Sequence, residues 1–199
     1  MSLRVSRNDQ RSHRNTHIEN ENRSSHGLRT VARVGFFASL FAFTCWLSLY
    51  PISAEAKAKA GQSFPALKVA PFPGKAPLNA KSLQGKVVIY DFWAAWCEPC
   101  KVELPALEKL YQKYKGQGLV VVGVNVDDDA NDGKAFLQDH PVSFPVVYDK
   151  NKGMVEGLGV ETMPTSFIVD RSGKIHRVHA GFKSGDEKKL EKEIVELLK

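Results

Sequence analysis

Cysteine is scarce in this chain, with three in 199 residues beside six histidines. A structural zinc site takes four ligands, usually two close pairs or one pair plus histidines at finger spacing. Three cysteines cannot make two close pairs, so no metal is expected. Excess charge is missing from most of the chain. Residues 57–199 carry 21 Lys+Arg against 18 Asp+Glu, a mixed, solvated surface with no nucleic-acid face. Lysine is absent from the first 56 residues, where all seven basic residues are arginines. No internal repeat is visible.

One long uncharged stretch is present, Val34 to Tyr50 (VGFFASLFAFTCWLSLY). It is long for a secretory apolar region and at the short limit for a spanning helix. Arginine-rich residues 1–33 precede it and are too polar to bury a core, so they read as a disordered cytoplasmic n-region. Residues 34–50 then form a signal or anchor, and the chain after them is exported. Ala54-Glu55-Ala56 is a possible cleavage site, and cleavage and retention both stay open. A mitochondrial address fits the arginines but not the apolar run. Cys45 reads as a lipid-facing apolar residue. Residues 51–62 read as a linker, and a folded domain spans 63–199.

Inside that domain Phe64–Val69 is a strand candidate, followed by a turn at Pro71, Pro73 and Gly74. Lys86–Trp93 is almost continuously apolar, as a buried parallel strand requires. Apolar residues then recur at helical spacing from Cys97 to Tyr114, with a kink expected at Pro105 and a stop at Gly116 and Gly118. Leu119–Val126 is a second buried strand. Asp132–Gln138 and Met154–Leu158 read as helices, and Val142–Tyr148 as a strand interrupted by Pro145. Ser166–Val169 and Ile175–Ala180 flank a turn, and Ser184 with Glu187 forms a capping box for a last helix. This order predicts an α/β sandwich with a mixed central sheet.

The two remaining cysteines stand two residues apart, in Trp93-Ala94-Ala95-Trp96-Cys97-Glu98-Pro99-Cys100-Lys101. The pair falls between a strand and the start of a helix, whose N-terminus stabilises a thiolate. That is the setting of a dithiol–disulfide switch. An inert disulfide is the plainer alternative, but one of this spacing staples almost nothing.

Three stretches resemble the thioredoxin fold, and most closely its TlpA/ResA-like group of exported thiol–disulfide oxidoreductases. They are Asp91-Phe92-Trp93-Ala94-Ala95-Trp96-Cys97-Glu98-Pro99-Cys100 with Pro105, then Val124-Asn125-Val126-Asp127, then Met163-Pro164-Thr165. The resemblance implies a three-layer sandwich, and the length from Asp128 to Leu158 implies the inserted helix and strand of that branch. Asp91 stands where most of the group has Asn, and Gly123 where thioredoxin has a lysine. Asp127 or Asp128 lies in the neighbourhood of a glutamate that ResA-like proteins place near the dithiol.

Cys97 is the expected nucleophile, with its sulfur exposed, and Cys100 the buried partner that resolves the mixed disulfide. Glu98 beside Cys97 disfavours its thiolate, unless solvent screens it, and Pro99 fixes the turn. Asp91, in an apolar strand, is expected to have a raised pKa and to take the proton of Cys100. The resemblance makes Pro164 a cis proline facing the cysteines. It implies a client groove formed with Trp96, Met163 and Thr165, a core position being the other reading of Met163. Trp93 reads as core, and His140, His176 and His179 as surface residues without partners.

The implied activity is reduction of disulfides in client proteins, such as apocytochromes c or oxidase-assembly factors, in the periplasm or at the outer face of the cytoplasmic membrane. A membrane thiol donor would supply electrons, with no cofactor and a monomeric enzyme. The rivals are an oxidant or isomerase, and a copper-binding chaperone recruiting His179. A peroxidase fits poorly, because peroxidatic cysteines do not normally sit in such a pair.

Overall fold

The computed structural model describes residues 57–199. The segments assigned to 1–33 and 34–50, Cys45 and the first half of the 51–62 linker therefore lie outside the described residues. Ten regular elements follow: β1 (Ala70–Pro71), β2 (Val87–Trp93), α1 (Cys100–Tyr114), β3 (Leu119–Asn125), α2 (Ala130–Asp139), β4 (Val146–Tyr148), α3 (Gly153–Leu158), β5 (Thr165–Val169), β6 (Ile175–Ala180) and α4 (Asp186–Leu198). One six-stranded sheet runs in the order β1-β4-β3-β2-β5-β6. β2, β3 and β4 are parallel, while β5, β6 and β1 run antiparallel to their neighbours.

β2 is central, and all seven of its residues are buried. Both of its faces are covered, which explains its unbroken apolar run. Alternate residues point to opposite sides. Tyr90 stacks on Phe64 with ring centroids 4.0 Å apart, and Phe92 meets Phe167 edge-on. On the other side Trp93 packs against Phe72 and Phe136. Helix α1 buries Cys100, Glu103, Leu104, Leu107, Leu110 and Tyr114, a stripe at three- and four-residue spacing, and packs on β3 and α4.

Several local expectations are corrected. Phe64–Val69 is not a strand; only Ser63 makes an isolated bridge, to Lys174, and β1 comes later. The strand expected over Val142–Tyr148 begins at Val146, because Pro145 has no N–H for the ladder; its carbonyl instead accepts from Gly123 N at 2.9 Å. Helix α1 begins at Cys100 rather than Cys97 and runs through Pro105. The last helix lacks the predicted box. Gly185 is its N-cap at φ 99°, and Glu187 turns back to accept from Gly185 N.

Candidate functional site: a dithiol backed by buried acids

The Cys97 loop springs from the C-terminal end of β2. Cys97 N donates to Ala94 O and Cys100 N to Cys97 O, closing two successive tight turns. Pro99 is the N-cap of α1, with helical φ already set and no N–H to leave unpaired. Cys97 and Cys100 are joined as a disulfide, with Cα atoms 5.4 Å apart. Contrary to expectation, Cys97 is only 2 % exposed, and Cys100 is fully buried. Trp96, next to Cys97 in the loop, is 70 % exposed.

The loop is anchored from the next strand. Ala95 N donates to both oxygens of buried Asp127, at 2.9 and 3.1 Å, and Asn125 Nδ2 donates to Asp127 Oδ2 at 2.7 Å. Burial raises the Asp127 pKa, against those hydrogen bonds. Asp128 points to solvent and pairs with Lys152 at 3.1 Å. Lys152 Nζ also donates to the Val126 carbonyl.

Pro164 follows a cis peptide bond, as the resemblance implied. The register pairs Phe92 with Thr165, which sets the cis-proline loop beside the end of β2 that feeds the cysteines. Gly181 N donates to Pro164 O at 2.7 Å, tying in the turn after β6. Met163 is half-buried against the core. Thr165 is buried, and its hydroxyl donates to Thr162 O at 2.7 Å, so that group is spent within its own loop.

Glu98 lies in solvent. Its carboxylate is 80 % exposed and accepts from Lys101 Nζ at 2.6 Å, so its charge is paired and solvated. Two other acids are buried in the core. Asp91 is fully buried; Ser166 Oγ lies 2.9 Å from its Oδ1 and 3.1 Å from Oε1 of Glu103, which is buried too. Burial pushes the Asp91 carboxyl up to about 7. Burial, and then the charge of Asp91, hold Glu103 well above the usual carboxylate range. Neither Asp91 Oδ2 nor Glu103 Oε2 finds a donor among the described residues. Sequence reasoning missed Glu103 and Ser166. The signal for Glu103 was its place three residues after Cys100, on the stripe that buries Leu104 and Leu107. The loop acids of 127–128, offered for a glutamate near the dithiol, turn instead to the Ala95 amide and to Lys152.

The histidines are not all partnerless. His179 Nε2 lies 2.9 Å from Glu193, and the His140 ring packs on Phe136. His179 is thus paired with Glu193, and no cluster of three metal-binding side chains occurs among the described residues.

A cysteine pair at the end of a central strand, a cis proline beside it and a buried acid behind it define a thioredoxin-fold thiol–disulfide oxidoreductase. The Redoxin family matches residues 59–194, and the chain belongs to it. It is 34 % identical over 122 residues to the thiol-disulfide oxidoreductase ResA of Halalkalibacterium halodurans, covering 61 % of this chain and 68 % of that protein. ResA of Bacillus cereus is 35 % identical over 123 residues, or 62 % and 70 % of the two chains. Among solved structures, a thiol:disulfide interchange protein DsbE from Chlorobium tepidum superposes with a TM-score of 0.67 at 35 % identity, covering 71 % of this chain and 99 % of that one. The TlpA/ResA-like resemblance is borne out.

Proposed function

We propose that the protein reduces disulfides in exported client proteins, with Cys97 attacking and Cys100 resolving. The carrying observation is the Cys97–Cys100 disulfide at the start of α1, a helix that buries Glu103 one turn on, together with buried Asp91 on β2 and the cis proline before β5. A carboxylate held close to the sulfurs disfavours thiolate, so the reduced form gains little stability and the couple is inclined to give electrons away. Glu98 does not supply this effect, because Lys101 pairs it.

In the first step the Cys97 thiolate bonds to one client sulfur. The client S–S bond breaks, and the other sulfur leaves as thiolate. Cys100 then gives its proton to the carboxylate of Asp91 or Glu103, and its sulfur bonds to Cys97 Sγ. The Cys97–client bond breaks, and the second client sulfur leaves with that electron pair. Two electrons pass to the client, and the Cys97–Cys100 disulfide forms. Trp96, Met163 and Pro164 present the surface on which an extended client segment lies. Thr165 contributes through its backbone, since its hydroxyl is occupied.

Residues 34–50 hold the protein at the outer face of the cytoplasmic membrane or direct its export, and a membrane thiol donor restores the dithiol there. An oxidising compartment would otherwise leave the couple oxidised. Among the described residues no helix is long and apolar enough to cross a membrane. Clients of the apocytochrome c or oxidase-assembly kind remain the expected class.

Equilibration of the purified protein with thiol–disulfide buffers tests the direction. A potential of about −250 mV or lower supports a reductant, and one near −120 mV overturns it in favour of an oxidant.

A further inference from the structure

Ser166 sits between two carboxyls and carries one hydroxyl proton. The register sets it directly across from Asp91, at the centre of a row that runs Gly123, Asp91, Ser166, His179 over β3, β2, β5 and β6. Its Oγ is 2.9 Å from Asp91 Oδ1 and 3.1 Å from Glu103 Oε1. One hydroxyl proton cannot serve both oxygens fully. Turning about Cβ–Oγ gives it to Asp91 or to Glu103, and the carboxyl that receives it is favoured as the anion. Two bare carboxylates in such contact, both buried, would repel in a medium that screens them poorly. Their remaining oxygens, Asp91 Oδ2 and Glu103 Oε2, have no donor unless a carboxyl supplies one. The pair therefore holds at least one proton, and Asp91, which titrates at about 7, leaves it singly protonated near neutrality.

We propose that Ser166 is a positioning residue that selects which member of a singly protonated Asp91–Glu103 pair is the carboxylate, and so aims the base that takes the proton of Cys100. This deepens the reductase reading and rests on it. Glu103 stands one helical turn from Cys100, with Cβ atoms at three-residue spacing about 5–6 Å apart, while Asp91 holds the same hydroxyl from strand β2. A rotating hydroxyl moves the anion between these two approaches without moving a proton out of the core. The resolving step then needs only one transfer, from Cys100 Sγ to the exposed lone pair of the selected carboxylate. Of the other titratable groups nearby, the Asp186 charge raises Glu103 further. His179, on the strand beyond Ser166, is held by Glu193, which also pairs with Arg177 at 2.9 Å.

The test uses the full chain, reduced, and an aromatic disulfide whose released thiolate is coloured. The first release reports attack by Cys97 and the second reports resolution by Cys100. With Ser166→Ala the second phase is expected to slow by about tenfold to a hundredfold and to change its pH profile. The first phase keeps its profile, and Ser166→Thr, which keeps the hydroxyl, restores the second. An unchanged second phase in Ser166→Ala, in rate and pH profile, overturns the proposal and leaves the reductase reading standing. A wild-type protein showing neither phase overturns that reading instead. Infrared difference spectra of the wild type need no variant. They are expected to show the carbonyl stretch of one protonated carboxyl at neutral pH. Two fully ionised carboxylates would contradict the proposal.

Discussion

At the scale of single residues, the chemistry turns on which polar groups the fold buries. Asp91 was legible because a charge inside an apolar strand is costly to keep without a purpose. Glu103 was not, because a glutamate in a helix reads as solvent-facing until the helix is oriented. Its burial became visible only once Cys100, Leu104 and Leu107 were seen on the same stripe. Glu98 misled for the opposite reason. Adjacency in sequence put it beside the nucleophile, but i,i+3 spacing gave its charge to Lys101 in solvent. If Asp91 acts as proton acceptor, Asp91→Asn slows resolution by about 10²-fold while the Cys97 attack persists. The second thiolate release of the two-phase assay reads this directly.

At the scale of elements, strands were easier to place than their ends. The runs over β2 and β3 were found nearly to the residue, because complete burial leaves a continuous apolar signature. The edges were missed where main-chain geometry overrode pattern. Pro145 delayed β4, Gly185 displaced the predicted cap of α4, and Cys97 fell into a turn that folds its sulfur inward. The loop that holds Cys97 is itself anchored by β3 and α2. A Cβ at Gly133 of α2 would lie 2.6 Å from Asn125 Nδ2 and 3.0 Å from Asp127 Oδ2, in the clamp that holds the Ala95 amide. Gly133→Ala gains up to about 1 kcal/mol in helix propensity. The forced contact costs about 1–3 kcal/mol, so destabilisation wins. Chemical denaturation is expected to show a lower midpoint, and amide exchange at Ala95 to accelerate.

At the scale of the whole molecule, burying acids makes stability depend on pH. The Asp91 carboxyl titrates near 3.9 when unfolded and at about 7 when folded. Between those values the folded state holds a proton that the unfolded state has lost. Stability is therefore greatest below about pH 4 as far as this group is concerned. It falls as pH rises, and the loss is complete above about pH 7. Asp91→Asn removes the dependence, so its melting temperature is expected to exceed that of the wild type at pH 8 and to approach it at pH 5. A wild-type advantage at pH 8 would show that Asp91 is stabilised as a carboxylate. Overall architecture was the most legible level of all. The alternation of strands and helices and three short motifs gave the α/β class, the mixed sheet and the cis-proline loop, while the covering of Cys97 depended on packing that no motif encodes.

The most direct test concerns the two sulfurs. Reduced wild-type protein is mixed with a disulfide-bearing client beside Cys100→Ser, the reactions are acid-quenched, and free thiols are alkylated and located by mass spectrometry. Wild type is expected to return to the Cys97–Cys100 disulfide while the client gains two thiols, and Cys100→Ser to stay bonded to the client through Cys97. A client left oxidised, or a variant that forms no bond at Cys97, would contradict the account.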